Sequence, residues 1–216
     1  MSPQTVSRFT DRAQAGRAVA ARVSDLRDAT TVVLGVPRGG VIVAREVARA
    51  LSCPLDLVIT RKLGSPWHPE YAVGAIGEGG VRIVDEAAVS SSHISPEALR
   101  EVELRERVEL ERRASRYRSG GERRDLTGAR AIVVDDGVAT GSTAIAACRA
   151  CRLLGAREIV LATPVAPPDW RDRLAAEADV LRAVITPAPF FAVGQWYVRF
   201  EQTTDDEVIR SFASVI

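Results

Sequence analysis

Between residues 31 and 187 short β-branched runs alternate with helical stretches, and no other feature restricts the fold of this chain as strongly. TVVLGV (31–36) reads as a buried strand and VIVAREVARAL (41–51) as the helix after it. LDLVIT (55–60) is a second strand. ARAIVV (129–134) leads into the helix GSTAIAACRACRLLG (141–155), which Gly155 closes as a C-cap. EIVLATPV (158–165), a helix around DWRDRLAAEA and the strand VLRAVITP (180–187) complete the series. Strands alternating with helices of this length build an α/β fold, a mostly parallel sheet flanked by helices on both faces. Ligands of such sheets bind beyond the carboxyl ends of the strands.

Two segments break the alternation. RKLGSPWHPEYAVGAIGEGGVRIVDE reads as a loop plus a small hairpin built from AVGAI and VRIV. SPEALREVELRERVELERRASRYRSGGERRD (95–125) reads as an inserted charged helix. Ser95 is its N-cap, Pro96 its first helical residue, and Glu101–Arg105, Glu103–Arg107 and Glu109–Arg113 are favourably ordered i,i+4 pairs. Its apolar stripe, Leu99, Val102, Leu110 and Tyr117, is thin. The leading reading is a solvated helix laced by salt bridges; the other is an RNA- or partner-binding arm built on Arg112, Arg113, Arg116 and Arg118. An amphipathic helix without a signal core is expected over 8–28.

A formal net charge of +1 makes no electrostatic case for a nucleic-acid or membrane partner. No apolar run approaches the roughly 18 residues of a membrane span. Three cysteines cannot all pair within one chain. A soluble, cytoplasmic protein is expected. Cys148 and Cys151 form C-x-x-C without a second ligand pair, so they read as helix-packing residues, and His68 and His93 show no ligand spacing.

The chemistry concentrates in VVDDGVATGSTA (133–144), where an apolar strand ends in two adjacent aspartates. At an effective dielectric of about 20 and a separation of roughly 5 Å, two such carboxylates repel by about 3 kcal/mol. A metal, hydroxyl donors or a cationic neighbour would offset that cost. Past the acids, the N–H groups and hydroxyls of Thr140, Ser142 and Thr143, with Gly141 between them, open a helix and form an anion cradle. The loop lacks the G-K-[ST] of a Walker A sequence, and neither it nor GVPRGG contains G-x-G-x-x-G. A bare helix cap would explain one hydroxyl, not two carboxylates and three hydroxyls around a glycine. Asp135 and Asp136 suit a vicinal diol, provided the strand ends there so that both can converge. A sugar 5-phosphate with a free diol is the ligand class described.

Four apolar residues, two acids and Ala-Thr-Gly-Ser-Thr resemble the motif by which type I phosphoribosyltransferases bind 5-phosphoribosyl 1-diphosphate (PRPP). The resemblance spans roughly residues 30–187 and implies a parallel five-stranded core with a small hood made from the chain ends. It implies one phosphoribosyltransferase domain over 1–216, with the core at about 30–187 and a base-specifying hood at about 186–216. Asp135 and Asp136 would hold the ribose hydroxyls, and Ala139, Thr140, Gly141, Ser142 and Thr143 the 5-phosphate. VVLGVPRGGVIVA (32–44) resembles the family's diphosphate loop, with Arg38 supplying charge and Gly39 and Gly40 their amides; in the family this loop often holds a non-proline cis peptide. Arg61 and Lys62 stand where the family places diphosphate and mobile-loop residues. Trp67 and His68 either cover the site or anchor that loop.

The implied reaction displaces diphosphate from C1 of PRPP with a nitrogenous base, with Asp135, Asp136, Arg38 and Lys62 as its catalytic set. Mg²⁺ is the implied cofactor, held mainly through substrate oxygens with Asp135 and Asp136 at its edge. Enzymes of the family acting on 6-oxopurines commonly carry an acid at the position of Ala139. Its replacement here favours a purine of xanthine or adenine type over hypoxanthine or guanine. TPAPFFAVGQWYVRFEQTTDDEVI (186–209) and TPVAPPD (163–169) are the candidate base-pocket segments. Val165, Phe191, Trp196 and Tyr197 are the candidate lining, although the aromatics, with Phe190 and Phe200, suit a hood core equally well. A homodimer is compatible with the family's common state. The competing class is a PRPP- or nucleotide-sensing regulator that binds RNA or a protein.

Overall fold

The computed structural model describes residues 8–68, 71–119 and 121–213. Five parallel strands form the main sheet: β1 (Thr31–Gly35), β2 (Leu55–Leu57), β6 (Arg130–Val134), β7 (Glu158–Val165) and β8 (Val180–Ile185). Their spatial order is β2-β1-β6-β7-β8, so Val33 faces Leu55 on one side and Ile132 on the other. The order reverses between β1 and β6. The crevice beyond their carboxyl ends is the place where such sheets bind ligands, and both glycine loops open into it.

β-Branched and aliphatic residues buried on both faces make these strands continuous apolar runs rather than alternating ones. One face carries α1 (Arg12–Val23) and α2 (Gly39–Leu51), whose Val19, Val23, Val43 and Val47 are buried against Val33, Ile132 and Val160. The other carries α5 (Ser142–Leu153) and α6 (Trp170–Leu174), with Ala147, Cys148, Cys151 and Trp170 against Val133, Ile159 and Leu161. Both cysteines of the C-x-x-C are fully buried and free, as helix packing requires. α1 starts at Arg12 because Asp11 caps it, accepting from the Gln14 N–H at 2.9 Å. It ends in a 3₁₀ turn over Ser24–Leu26, shorter than the expected 8–28.

A second, antiparallel sheet is β3-β4-β5: β3 (Thr60–Gly64), β4 (Ala72–Gly77) and β5 (Arg82–Val84). The expected hairpin is β4–β5, but LDLVIT is not one strand. The parallel sheet is left at Leu57, and Thr60 starts β3 in the second sheet. Val58 and Ile59 stay buried through the crossing, so the apolar run is continuous across two sheets and its pattern carries no mark of the break. The break is held by Arg118, which donates to Leu57 O at 2.9 Å and pairs with Asp56 and Glu78.

Arg118 follows α4 (Pro96–Tyr117), the inserted helix, which α3 (Glu86–Ser91) precedes. Ser95 accepts from the Ala98 N–H as the expected cap, and Leu99, Val102, Leu110 and Tyr117 are the buried set. The helix is therefore half solvated and half packed, against the second sheet and against α7 (Asp205–Ala213). Of the three expected pairs, Glu103–Arg107 and Glu109–Arg113 form, at 3.0 and 2.7 Å. The arm reading finds its arginines engaged inside the molecule. Arg112 and Arg113 bind Glu109, Arg116 binds Asp205 and Asp206, and Arg118 is buried. No helix among the described residues is long and apolar enough to cross a membrane.

Candidate functional site

β6 ends at Val134, which frees the next two residues from strand alternation. The Asp136 N–H donates to Asp135 Oδ1 at 2.8 Å, and Arg12 Nε donates to Asp136 Oδ2 at 2.7 Å. The cationic neighbour that the acid pair requires thus comes from the N-terminal helix. Arg12 is itself held on two sides: Nη1 donates to Glu201 O at 2.9 Å, and the guanidinium lies 4.0 Å from the centre of the Phe200 ring. Asp135 lies partly buried at the strand end. Desolvation, reinforced by the Asp136 charge, raises its carboxyl pKa well above the ordinary aspartate value.

Tyr197 fixes the backbone of the pair, its hydroxyl donating to Asp136 O at 2.6 Å. The hood reaches over the motif here. A Cβ on Gly137 would stand 2.3 Å from Val193 Cγ1, so glycine at 137 serves a close approach of the hood. Phe9 joins the same layer: its N–H donates to Trp196 O at 2.8 Å and its ring lies 5.6 Å from that of Tyr197.

The loop after β1 comes up against the acids from the other side. A Cβ on Gly39 would fall 1.9 Å from Asp136 Oδ2, and one on Gly40 would fall 2.7 Å from Val134 O. Only glycine lets this loop pass. The Pro37–Arg38 peptide is cis. The Arg38 guanidinium extends toward α7, 3.8 Å from Asp205 Oδ1, beside a cavity of about 290 Å³ that also reaches Arg116 and Thr203.

After the acids, residues 137–144 and Asp135 line a cavity of about 130 Å³. The Thr140, Ser142 and Thr143 side chains are exposed at it, and Thr140 Oγ1 lies 3.3 Å from Ser142 Oγ. Gly141 has φ +89°, a left-handed conformation that glycine adopts without cost, and α5 starts directly after it. The amides of a helix start and three hydroxyl-bearing residues therefore converge on one small polar cavity.

Other expected site residues lie elsewhere. Arg61, on β3, donates from Nε to Glu106 Oε2 of α4 at 2.9 Å and does not join the glycine loops. Lys62 is its strand neighbour and points to the opposite face of the second sheet. The segment expected as a loop from Arg61 onward is strand up to Gly64, then a turn in which Trp67 is 70% exposed. Val165, at the end of β7, is fully buried and Tyr197 nearly so; both are packed in one cluster with Phe9 and Ala15 rather than exposed at a cavity. Phe191 is exposed and Trp196 half-buried. Arg12, with its contacts to Asp136, Glu201 O and the Phe200 ring, is the part of the site that sequence reasoning missed. These contacts cross most of the chain, and no local spacing signals them.

A family model described as phosphoribosyl transferase domain matches residues 5–195. Two curated relatives from Mycobacterium tuberculosis, "Putative phosphoribosyl transferase MT0597" (strain CDC 1551 / Oshkosh) and "Putative phosphoribosyl transferase Rv0571c" (strain H37Rv), are each 51% identical over 201 residues. The match covers 93% of this chain and 45% of theirs, so the chain spans less than half the length of those relatives. TT1426 from Thermus thermophilus is 40% identical with a TM-score of 0.83, covering 96% of this chain and 98% of that one. A hypothetical protein from Neisseria gonorrhoeae with bound ppGpp shares the fold at a TM-score of 0.50 and 14% identity, covering 96% of each chain.

Proposed function

This chain belongs to the phosphoribosyl transferase domain family, and we propose that it transfers the 5-phosphoribosyl group of PRPP to a nitrogenous base with release of diphosphate. The observation that carries the reading is the meeting of the two glycine loops. Gly39 packs so closely on Asp136 that an added Cβ would overlap its carboxylate. One ligand can therefore touch the PRGG loop, the acid pair and the small polar cavity at once, and PRPP carries a diphosphate, a diol and a 5-phosphate in that order.

In this reading Ala139–Thr143 hold the 5-phosphate, Asp135 and Asp136 the ribose hydroxyls, and Gly39 and Gly40 the diphosphate through their amides. Arg38 swings from Asp205 to the diphosphate, a change that its long 3.8 Å pairing makes inexpensive. Lys62 remains the candidate second cation on the diphosphate. Positive charge grows on the ribose as the C1–oxygen bond breaks, so the chain's work is positioning and charge stabilisation. Asp136, oriented by Arg12 and Tyr197, is the side chain placed to stabilise that growth.

No group of three or more His, Cys, Asp or Glu side chains among the described residues could cage a metal. The donor set, two adjacent carboxylates with one already on Arg12, fits Mg²⁺ carried largely by substrate oxygens. Bound there, Mg²⁺ supplies charge that screens the leaving diphosphate.

Ala139 offers no carboxylate beside the sugar, which weighs against hypoxanthine or guanine and leaves a purine of adenine or xanthine type as the acceptor we favour. Phe191 and Trp196 are the hood faces left for stacking it. We read the chain as carrying one phosphoribosyltransferase domain that works in the cytoplasm, with a homodimer as a compatible assembly. The test is diphosphate release from PRPP and Mg²⁺ against a panel of purine and pyrimidine bases, with Asp136→Asn as control. Release with one base, lost in the variant, establishes the transfer. Tight PRPP binding without release for any base moves the assignment to a sensor.

A further inference from the structure

Two carbonyls of the loop at 139–143 meet a single side chain that stands outside the cavity lining. Arg173, on α6, donates from Nη2 to Ala139 O at 3.0 Å and from Nη1 to Thr140 O at 3.3 Å. Its Nη2 also reaches Asp169 Oδ1, one helical turn earlier, at 3.2 Å. Arg173 does not line the cavity. Both peptides concerned are trans, since the cis bonds among the described residues are Pro37–Arg38 and Ala188–Pro189. In a trans peptide the carbonyl and the following N–H point in opposite directions. Holding the Ala139 and Thr140 carbonyls outward therefore turns the Thr140 and Gly141 N–H groups inward. Among the described residues, no protein acceptor takes either of those two N–H groups.

The neighbouring residue holds the same loop by packing. Leu174 is fully buried, and a Cβ on Gly141 would stand 3.3 Å from its Cδ2. Trp170, also fully buried, anchors α6 beneath. This one-turn helix thus grips the loop from outside at two consecutive positions, one polar and one apolar.

We propose that Arg173 is a positioning residue for the phosphate cradle, aligning the Thr140 and Gly141 amides on a phosphate monoester that it does not itself touch. The inference rests on the reading of 139–143 as the 5-phosphate site. A planar guanidinium can bridge two carbonyls at once, whereas a lysine ammonium supplies the charge without that fork. Arg173 is exposed enough that its replacement leaves the core intact.

The experiment is calorimetric titration of ribose 5-phosphate into the full chain and its Arg173→Ala and Arg173→Lys variants, with ¹H–¹⁵N spectra of Thr140 and Gly141. Expected are a loss of about tenfold in affinity for Arg173→Ala, the scale of one hydrogen bond to a charged group, and only partial recovery in Arg173→Lys. The two amide resonances move in both variants, and the KM for PRPP rises while kcat holds. Unchanged affinity in Arg173→Ala, or full recovery in Arg173→Lys with unmoved amides, overturns the positioning role. Failure of the unsubstituted chain to bind ribose 5-phosphate overturns the site reading itself, a result separable from the first two.

Discussion

Arg12 Nε stands 2.7 Å from Asp136 Oδ2, and this contact joins the first helix of the chain to the carboxylate at the end of β6. It is the cation that makes two adjacent acids tolerable at a strand terminus. Both partners are largely buried, so removing one leaves the other charge with poor solvation. Arg12→Ala is expected to lose about 2 kcal/mol of stability, read as a lower urea midpoint at unchanged m. PRPP affinity should fall with it, because Asp136 loses its orienting partner. Arg12→Lys should recover stability better than affinity, since lysine lacks the fork that also reaches Glu201 O.

Gly39→Ala puts a methyl group into the Asp136 carboxylate, and Gly40→Ala puts one against the backbone at Val134 and Asp135. The carboxylate can move; the backbone cannot move cheaply. Gly39→Ala should therefore fold at a cost of about 1–2 kcal/mol and lose PRPP binding, while Gly40→Ala should lose more stability than its neighbour. Thermal denaturation of both, beside PRPP titration, separates the two effects.

Asp135 holds its proton more tightly in the folded protein than in the unfolded chain, because desolvation and the Asp136 charge both raise its pKa. A raised folded pKa gives stability that is complete below the ordinary aspartate range and is lost as pH rises through the raised value. Asp135→Asn removes that loss. The variant should be more stable than the parent at pH 7–8, equal to it near pH 3, and at least about tenfold poorer in kcat/KM for PRPP, the worth of one charged hydrogen bond. Urea midpoints across this pH range, with one steady-state assay, check all three.

Arg118 lies buried between Asp56 and Glu78 where the chain passes from one sheet to the other. Arg118→Met leaves Asp56 buried without its counter-charge and should cost about 3–5 kcal/mol. Charged replacement does not help, because Leu57 O and both carboxylates are met by one planar group. Arg118→Lys should remain clearly destabilised in chemical denaturation.

The three thiols are buried, and burial pushes Cys148 up to about 12 and Cys53 and Cys151 upward as well. At pH 8 none should react quickly with a disulfide reagent in the native protein, and all three should react in denaturant. A fast-reacting thiol at neutral pH would contradict the helix packing described here.

The main sheet and both glycine loops are legible in the sequence because their signals are local: apolar runs, turn residues and helix starts within a dozen positions. The inserted helix is legible down to its four buried residues for the same reason. What escapes is set by contacts between distant segments. LDLVIT carries one uninterrupted apolar pattern, yet Arg118, some sixty positions onward, holds the point where it changes sheets. Tyr197 reads equally as pocket lining or hood core on composition, and nothing local signals that its hydroxyl fixes the Asp136 carbonyl. Arg61 has the charge for a diphosphate and the position to reach one, but Glu106 on the inserted helix takes it. Charge identity is written locally; charge partnership is not.

Arg12 and Tyr197 grip Asp136 from opposite reaches of the chain. Arg12 precedes the whole parallel sheet in sequence and Tyr197 follows it, so both tethers on Asp136 exist only when the segments on either side of the sheet are in place. A chain cut between β8 and residue 197 would contain all five parallel strands yet lack one of the two tethers on Asp136. The placement of the acid pair therefore depends on both ends of the sequence at once.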